Sequence, residues 1–277
     1  MREHTLPNVS TNVAPKRNYA FAKRILRKGA PILTLALVLG AWQVIAVSGI
    51  YPEFIIPAPM TVAEKFSQAL LDGRLWFHTQ ATLTAVLAAL LLGSLSGLTL
   101  GYVIAKQPLL EDLISPIVVA FQATPVVAYA PLLVIWFGSG PESKIVTGTL
   151  IVFFPMLMNT LVGIRSVPQG LRDVMRASRA SRWQTFTKLE IPAAMPVLVS
   201  GLKMSATLAV IGAVVGEFVA ARAGLGFLIV TARGTFDTAL VLVAVFTLTA
   251  LALSLYALVG IFAHYALGWQ RRANRSR

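Results

Sequence analysis

Residues 171–196 read LRDVMRASRASRWQTFTKLEIPAAMP. They decide the fold because they form a long basic, half-polar stretch set between runs apolar enough to lie in lipid. The periodicity predicts a helix over about residues 171–186, with Leu171, Val174, Met175 and Ser178 on one stripe and Arg172, Arg176, Arg179 and Arg182 around the other side. Such a helix lies along a surface. Ala177, Ser178, Ala180 and Ser181 are small enough for another protein to come close, and Trp183 and Phe186 are large enough to plug a pocket, the pattern of a helix laid into a groove. Ile191-Pro192 and Met195-Pro196 are expected to end it, because residues before proline avoid the helical region and the next helix must start afresh.

Outward from that stretch, the chain has 277 residues, 56% of them hydrophobic and 13% charged, which is more apolar surface than a soluble domain of this length can bury. It reads as an all-α, polytopic membrane helical bundle. Six spans are expected at about residues 31–50, 79–105, 114–137, 145–164, 197–215 and 239–263, within a domain over residues 31–268 whose cytoplasmic loop covers residues 165–192. Residues 1–30 form a basic cytosolic tail, expected to be flexible since Pro7, Asn8, Asn12 and Pro15 break any early helix, and residues 269–277 form a second basic cytosolic tail. The first apolar run has no convincing cleavage site, so it is a retained span rather than a signal peptide. Residues 51–80 are an external loop carrying a short interfacial helix that Asp72-Gly73 closes as a turn.

The third span is interrupted at Thr124-Pro125 and again at Pro131, breaks that free backbone groups for protein or water to satisfy. Gly93, Gly97 and Gly101 recur every four residues and put a smooth stripe on the second span, suited to a close helix contact, with a gating hinge as the alternative.

Charge tests the topology independently. Of the 24 Lys and Arg residues, eighteen fall on the segments assigned to the cytosol and five, Lys65, Arg74, Lys144, Arg222 and Arg233, on those assigned outside; Lys203 lies within the fifth span. That division places both ends in the cytosol and accounts for the net charge of +13 without any nucleic acid.

No GxxxxGK[ST] phosphate cradle occurs, so the chain is expected not to hydrolyse ATP by that route and to take its energy from elsewhere. There is no cysteine, and His4, His78 and His264 lack metal-ligand spacing, so no metal site is expected. No pair of carboxylates lies deep in a span, which disfavours a membrane metalloenzyme and an ion-coupled carrier. Glu217, at the outer end of the fifth span, either pairs with a loop arginine such as Arg222 or takes part in a gate or docking surface. Gln122, Thr124 and Asn159 either line a pathway or make helix–helix hydrogen bonds.

The opening stretch resembles the cytoplasmic EAA loop of bacterial binding-protein-dependent ABC importer permeases, whose pattern is E-A-A, three residues, G, nine residues, I-x-L-P. Asp173-Val174-Met175 falls at E-A-A, Arg179 at the glycine and Leu189-Glu190-Ile191-Pro192 at I-x-L-P, with the spacing kept throughout. Ala180-Ser181-Arg182-Trp183-Gln184 is close to the usual wording. The departure is Arg179, where glycine would allow a left-handed turn between two short helices; a side chain there costs about 1–2 kcal/mol or the turn is built differently.

The resemblance extends over nearly all the chain beyond the tail. Residues 121–126, 131–138 and 154–160 are similar to the nitrate, sulfonate and taurine branch of these permeases. Residues 208–219 with Gly224-Leu225-Gly226 are similar to members assigned to riboflavin or to the pyrimidine precursor of thiamine. It implies an inner-membrane permease acting as a homodimer with two cytosolic ATPase subunits, which bind the ATP and Mg, and an external substrate-binding protein; no cofactor is implied on this chain. The coupling residues it implies are Asp173, Met175, Ala177, Arg179, Ala180, Ser181, Arg182, Trp183, Phe186 and Pro192. A self-sufficient secondary transporter or channel is the alternative of another class, and would work without ATP.

Overall fold

The structure, a computed structural model, describes the backbone of residues 17–268 and the side chains of residues 29–268. The expectations for residues 1–16 and 269–277 lie outside the described residues. Every regular element among those described is helical.

The first of two compact units runs through Pro59 and carries α1 (Arg17–Val47). Its stretch Gly29–Val47 is long and apolar enough to cross a membrane. Residues 17–30, read as part of a flexible tail, are instead already helical, and Pro31 sits inside the helix rather than at its start. After α1 the chain folds back until the Trp42 indole N–H donates to the Pro57 carbonyl at 3.0 Å.

The second unit holds the remaining elements: α2 (Pro59–Leu71), α3 (Arg74–Lys106), α4 (Pro108–Ala123), α5 (Val126–Phe137) and α6 (Pro141–Arg165) come first. They are followed by α7 (Gln169–Ala177), α8 (Arg182–Thr185), α9 (Ile191–Val219), α10 (Leu225–Gly234) and α11 (Thr238–Ala266). Helices α3, α6 and α11, and the rod containing α9, are each long and apolar enough to span a bilayer. The expected third span is the exception. At Thr124-Pro125 the chain turns by 93° between α4 and α5, so this segment is a bent pair rather than a straight helix. Proline lacks the N–H that would continue the ladder and pushes Thr124 into extended backbone, at φ −87° and ψ 124°. Pro131 breaks nothing; it lies within α5.

The bundle is assembled on α6, which packs along α3 on one side and α9 on the other. Smooth backbone makes this possible. A Cβ on Gly97 would stand 2.8 Å from the Phe153 carbonyl oxygen, and one on Gly101 2.7 Å from that of Leu157, so the GxxxG-like stripe of α3 is a contact face on α6. Across it Ala85, Val86, Val152, Ala206, Ala209, Val210, Ala213 and Leu255 form one buried cluster. In lipid such interfaces gain from dispersion between closely approached helices, since hydrocarbon already solvates apolar side chains. Outside the bundle, α2 is tied to the start of α11 by an ion pair from Lys65 to Asp237 at 2.7 Å, and Asp237 also caps α11 through the Leu240 amide at 3.0 Å.

Candidate functional site

The polar stretch over residues 171–186 is two short helices, not one. Helix α7 ends at Ala177, and the Arg179 amide donates to the Arg176 carbonyl while the Ala180 amide donates to that of Met175, both at 3.0 Å. That pair of bonds is a Schellman cap. It requires left-handed backbone at its first residue beyond the helix, and Arg179 supplies it with φ 49°. The turn implied by the family pattern is therefore kept, with an arginine in the glycine position. Replacing Arg179 with glycine is expected to stabilise this turn by about 1 kcal/mol, seen as slower hydrogen exchange of the loop amides in the full-length protein.

Helix α8 then starts on a capping box: the Gln184 amide donates to Ser181 Oγ at 3.1 Å, and the Ser181 amide to Gln184 Oε1 at 2.8 Å. The Ser-x-x-Gln spacing is a readable start signal that the single-helix expectation passed over. Pro192 and Pro196 do not end the helix either. A π-helical turn over Phe186–Glu190, closed by the Ile191 amide donating to the Phe186 carbonyl, links α8 to α9 without a break. The wider turn takes up the register change needed just before Pro192, which cannot donate. The result is one continuous helix, Arg182–Val219.

The loop leaves an apolar edge exposed. Trp183 is 70% exposed, Val174 59% and Leu171 48%. Asp173, Ala177, Ser181 and Arg182 are also exposed, whereas Met175, Ala180, Phe186 and Pro192 are half-buried. Asp173 pairs with Arg176 at 3.4 Å. The Trp183 ring leans on that of Phe186, centroids 5.5 Å apart, and Phe186 in turn stands edge-on to Tyr102 of α3 at 5.0 Å.

Beneath this surface lies Glu190, 1% exposed. Its carboxylate accepts from the Tyr102 hydroxyl at 3.0 Å, pairs with Lys106 and lies 3.6 Å from Arg172, whose other nitrogen donates to the Ile164 carbonyl at 2.6 Å. One carboxylate thus ties α9 to the end of α3 and to α7. Glu190 was not among the expected site residues. The available signal was its position as a lone acid two residues beyond a basic run from Arg176 to Lys188.

A second buried carboxylate lies near the opposite end of α9. Glu217, also 1% exposed, accepts from Thr82 Oγ1 at 2.8 Å and from the Gly226 amide at 2.7 Å. Thr82 Oγ1 itself accepts from the Leu225 amide at 2.7 Å, and His78 Nδ1 accepts from the Gly224 amide at 3.1 Å. Lys144 donates to the Ala223 carbonyl at 2.5 Å. Together these groups clasp the loop between α9 and α10. Gly224, at φ 125°, has no room for a side chain because the Glu217 carboxylate occupies the space. Glu217 is satisfied by Thr82 and a backbone amide, not by Arg222, and it acts on its surroundings through the loop it holds.

The three pathway candidates are not brought together by any hydrogen bond among the described residues. Gln122 is exposed; Thr124 donates to Ala120 of its own helix at 3.2 Å. Asn159 donates to Pro155 at 2.8 Å and lies at a close approach of α9, a Cβ on Gly201 being 2.7 Å from its own.

Residues 97–266 match the family described as binding-protein-dependent transport system inner membrane component. The chain is 48% identical over 243 residues to the riboflavin transport system permease protein RibX of Chloroflexus aurantiacus, covering 87% of this chain and 90% of that protein. It is 32% identical to the taurine transport system permease protein TauC of Escherichia coli, covering 79% and 82%. An inward-facing structure of the MetNI methionine ABC transporter shares the fold, with a TM-score of 0.61 at 21% identity over 73% of this chain and 98% of that one. The chain therefore belongs to the family of binding-protein-dependent transport system inner membrane components, and is a multi-pass permease of an ABC importer in the inner membrane.

Proposed function

We propose that two copies of this permease form the translocation path for riboflavin, delivered by an external binding protein and driven by two cytosolic ATPase subunits that carry the ATP and Mg. The 48% identity to a riboflavin permease, spread over nearly the whole chain, supports the choice of solute. Docking of the ATPase is supported by the exposed edge from Leu171 to Trp183. On this reading the two ATPases close on ATP, each pulls on one loop, and the permeases shift between inward-open and outward-open states. The shift requires the loop to dock differently in the two states, since a partner bound equally to both moves nothing.

The second reading keeps the machinery and changes the cargo. The taurine permease at 32% identity favours a sulfonate, and the formylaminopyrimidine transport permease protein ThiX of Halalkalibacterium halodurans, at 29%, a pyrimidine. Proteoliposomes holding the permease, its ATPase and its binding protein distinguish them. Riboflavin is expected to accumulate only with ATP inside the ATPase compartment and with loaded binding protein outside. Accumulation of taurine or formylaminopyrimidine in its place would overturn the riboflavin reading, and uptake without ATP would overturn the coupled mechanism.

A further inference from the structure

We propose that the cytosolic ends of α3 and α9 hold an anionic phospholipid, its phosphate in a basic cleft beneath the coupling loop and an acyl chain in the apolar groove beside it. The cleft encloses about 720 Å³ between the end of α3 and α7–α8, and Lys106, Arg172, Arg176 and Arg182 all line it. Two carboxylates face these four cations: Glu190 at the base, shared by Lys106 and Arg172, and Asp173 beside Arg176. Arg182 has no carboxylate partner among the described residues. A net double positive charge is left in a concave site, which favours a phosphate-bearing anion.

An apolar groove adjoins the cleft. It has a volume of about 440 Å³ and an almost wholly apolar lining that includes Leu98, Met195, Leu198, Leu202 and Phe262; the hydroxyls of Thr99 and Thr160 are bonded back to their own helices. Tyr102 lines both cavities. Its ring faces the groove with Phe186, its hydroxyl is fixed on Glu190, and Lys106 Nζ lies 5.4 Å from its centroid. The polar and apolar cavities therefore meet at one side chain, four residues before the end of a membrane helix, about 6 Å along its axis. An inorganic or nucleotide phosphate would use the cleft alone. Only an amphiphile uses both, and basic pockets between membrane helices on the cytoplasmic side are suited to anionic headgroups.

Native mass spectrometry of the full-length permease in detergent, mixed separately with phosphatidylglycerol, phosphatidylcholine or inorganic phosphate, tests this. Phosphatidylglycerol is expected to be retained at least tenfold over phosphatidylcholine. The double variant Arg176→Gln, Arg182→Gln is expected to weaken it about thirtyfold, two interfacial cations at about fivefold each, and to leave phosphatidylcholine unchanged. Leu202→Trp, which fills the groove, is expected to lower phosphatidylglycerol retention; should that variant lose its cooperative unfolding, Met195→Phe fills the same groove with a smaller change.

Equal retention of the two lipids would overturn the proposal. So would competition by inorganic phosphate with no effect of the groove variants, which would mark a free-anion site. A dimeric permease carrying no anionic lipid would show the groove covered by a second copy. The readout is lipid retention rather than transport, so its failure is distinct from failure of the riboflavin reading.

Discussion

Glu217→Ala is expected to destabilise the outer end of the bundle by about 2–3 kcal/mol. The carboxylate accepts from two buried donors, the Thr82 hydroxyl and the Gly226 amide. Each is stranded when the side chain is cut back, at roughly 1–3 kcal/mol apiece, offset in part by relief of the carboxylate's own desolvation. Hydrogen exchange at the Gly224, Leu225 and Gly226 amides of the full-length protein should rise first, because all three depend on the Thr82–Glu217–His78 set. Glu217→Gln is expected to do less. Its oxygen still accepts from Gly226, and its amide can donate to Thr82, whose oxygen already accepts from Leu225 at 2.7 Å. If the two variants behave alike, or if neither loosens these amides, the clasp does not hold the loop. Transport should fall with loop protection in the alanine variant, while the complex stays assembled.

The second large effect is expected at the loop. Trp183→Ala and Ala177→Asp should each weaken association with the ATPase by about 2 kcal/mol, roughly thirtyfold, as for a central interface residue. Trp183 carries a large exposed apolar area, and Ala177 sits on the last turn of α7 where only a small side chain allows close approach. Ala177 ends α7 and Trp183 lies in the polar first turn of the Arg182–Val219 helix, ahead of its apolar stretch, so membrane insertion should be normal. Co-purification of the ATPase and its stimulation by loaded binding protein are the measurements. Retention of both in each variant would assign the segment to a surface helix without a coupling role.

Much of this architecture was legible in the chain because lipid imposes simple rules. Long apolar runs, basic residues on one side and small residues every four positions mark spans, orientation and contact faces. The near right angle at Thr124-Pro125 was legible as a break but not as an angle, because proline removes a bond without saying where the next helix goes. The turn at Arg179 was hidden for a local reason. The helical periodicity from Leu171 to Phe186 continues across it, and an arginine does not advertise left-handed backbone. Only the family spacing pointed there. The two anchors were hidden by distance: Tyr102 and Glu190 are 88 residues apart, and Thr82 and Glu217 are 135 apart. A lone acid near a span end signals a partner, yet the candidate partners along the chain, Arg222 among them, were not the ones used.

The unbroken helix from Arg182 to Val219 has a mechanical consequence. Trp183 and Glu217 lie at its two ends, about 50 Å apart at 1.5 Å per residue. A tilt of about 10° about Glu190 moves Glu217, about 40 Å further along the rod, by about 7 Å, far more than close-packed side chains absorb without repacking. The Glu190 carboxylate at the end of the π-turn, bonded to Tyr102 and paired with Lys106, anchors this rod near its loop end. On the proposed function, a torque applied at the loop would reach the clasp at the opposite mouth through this one rod.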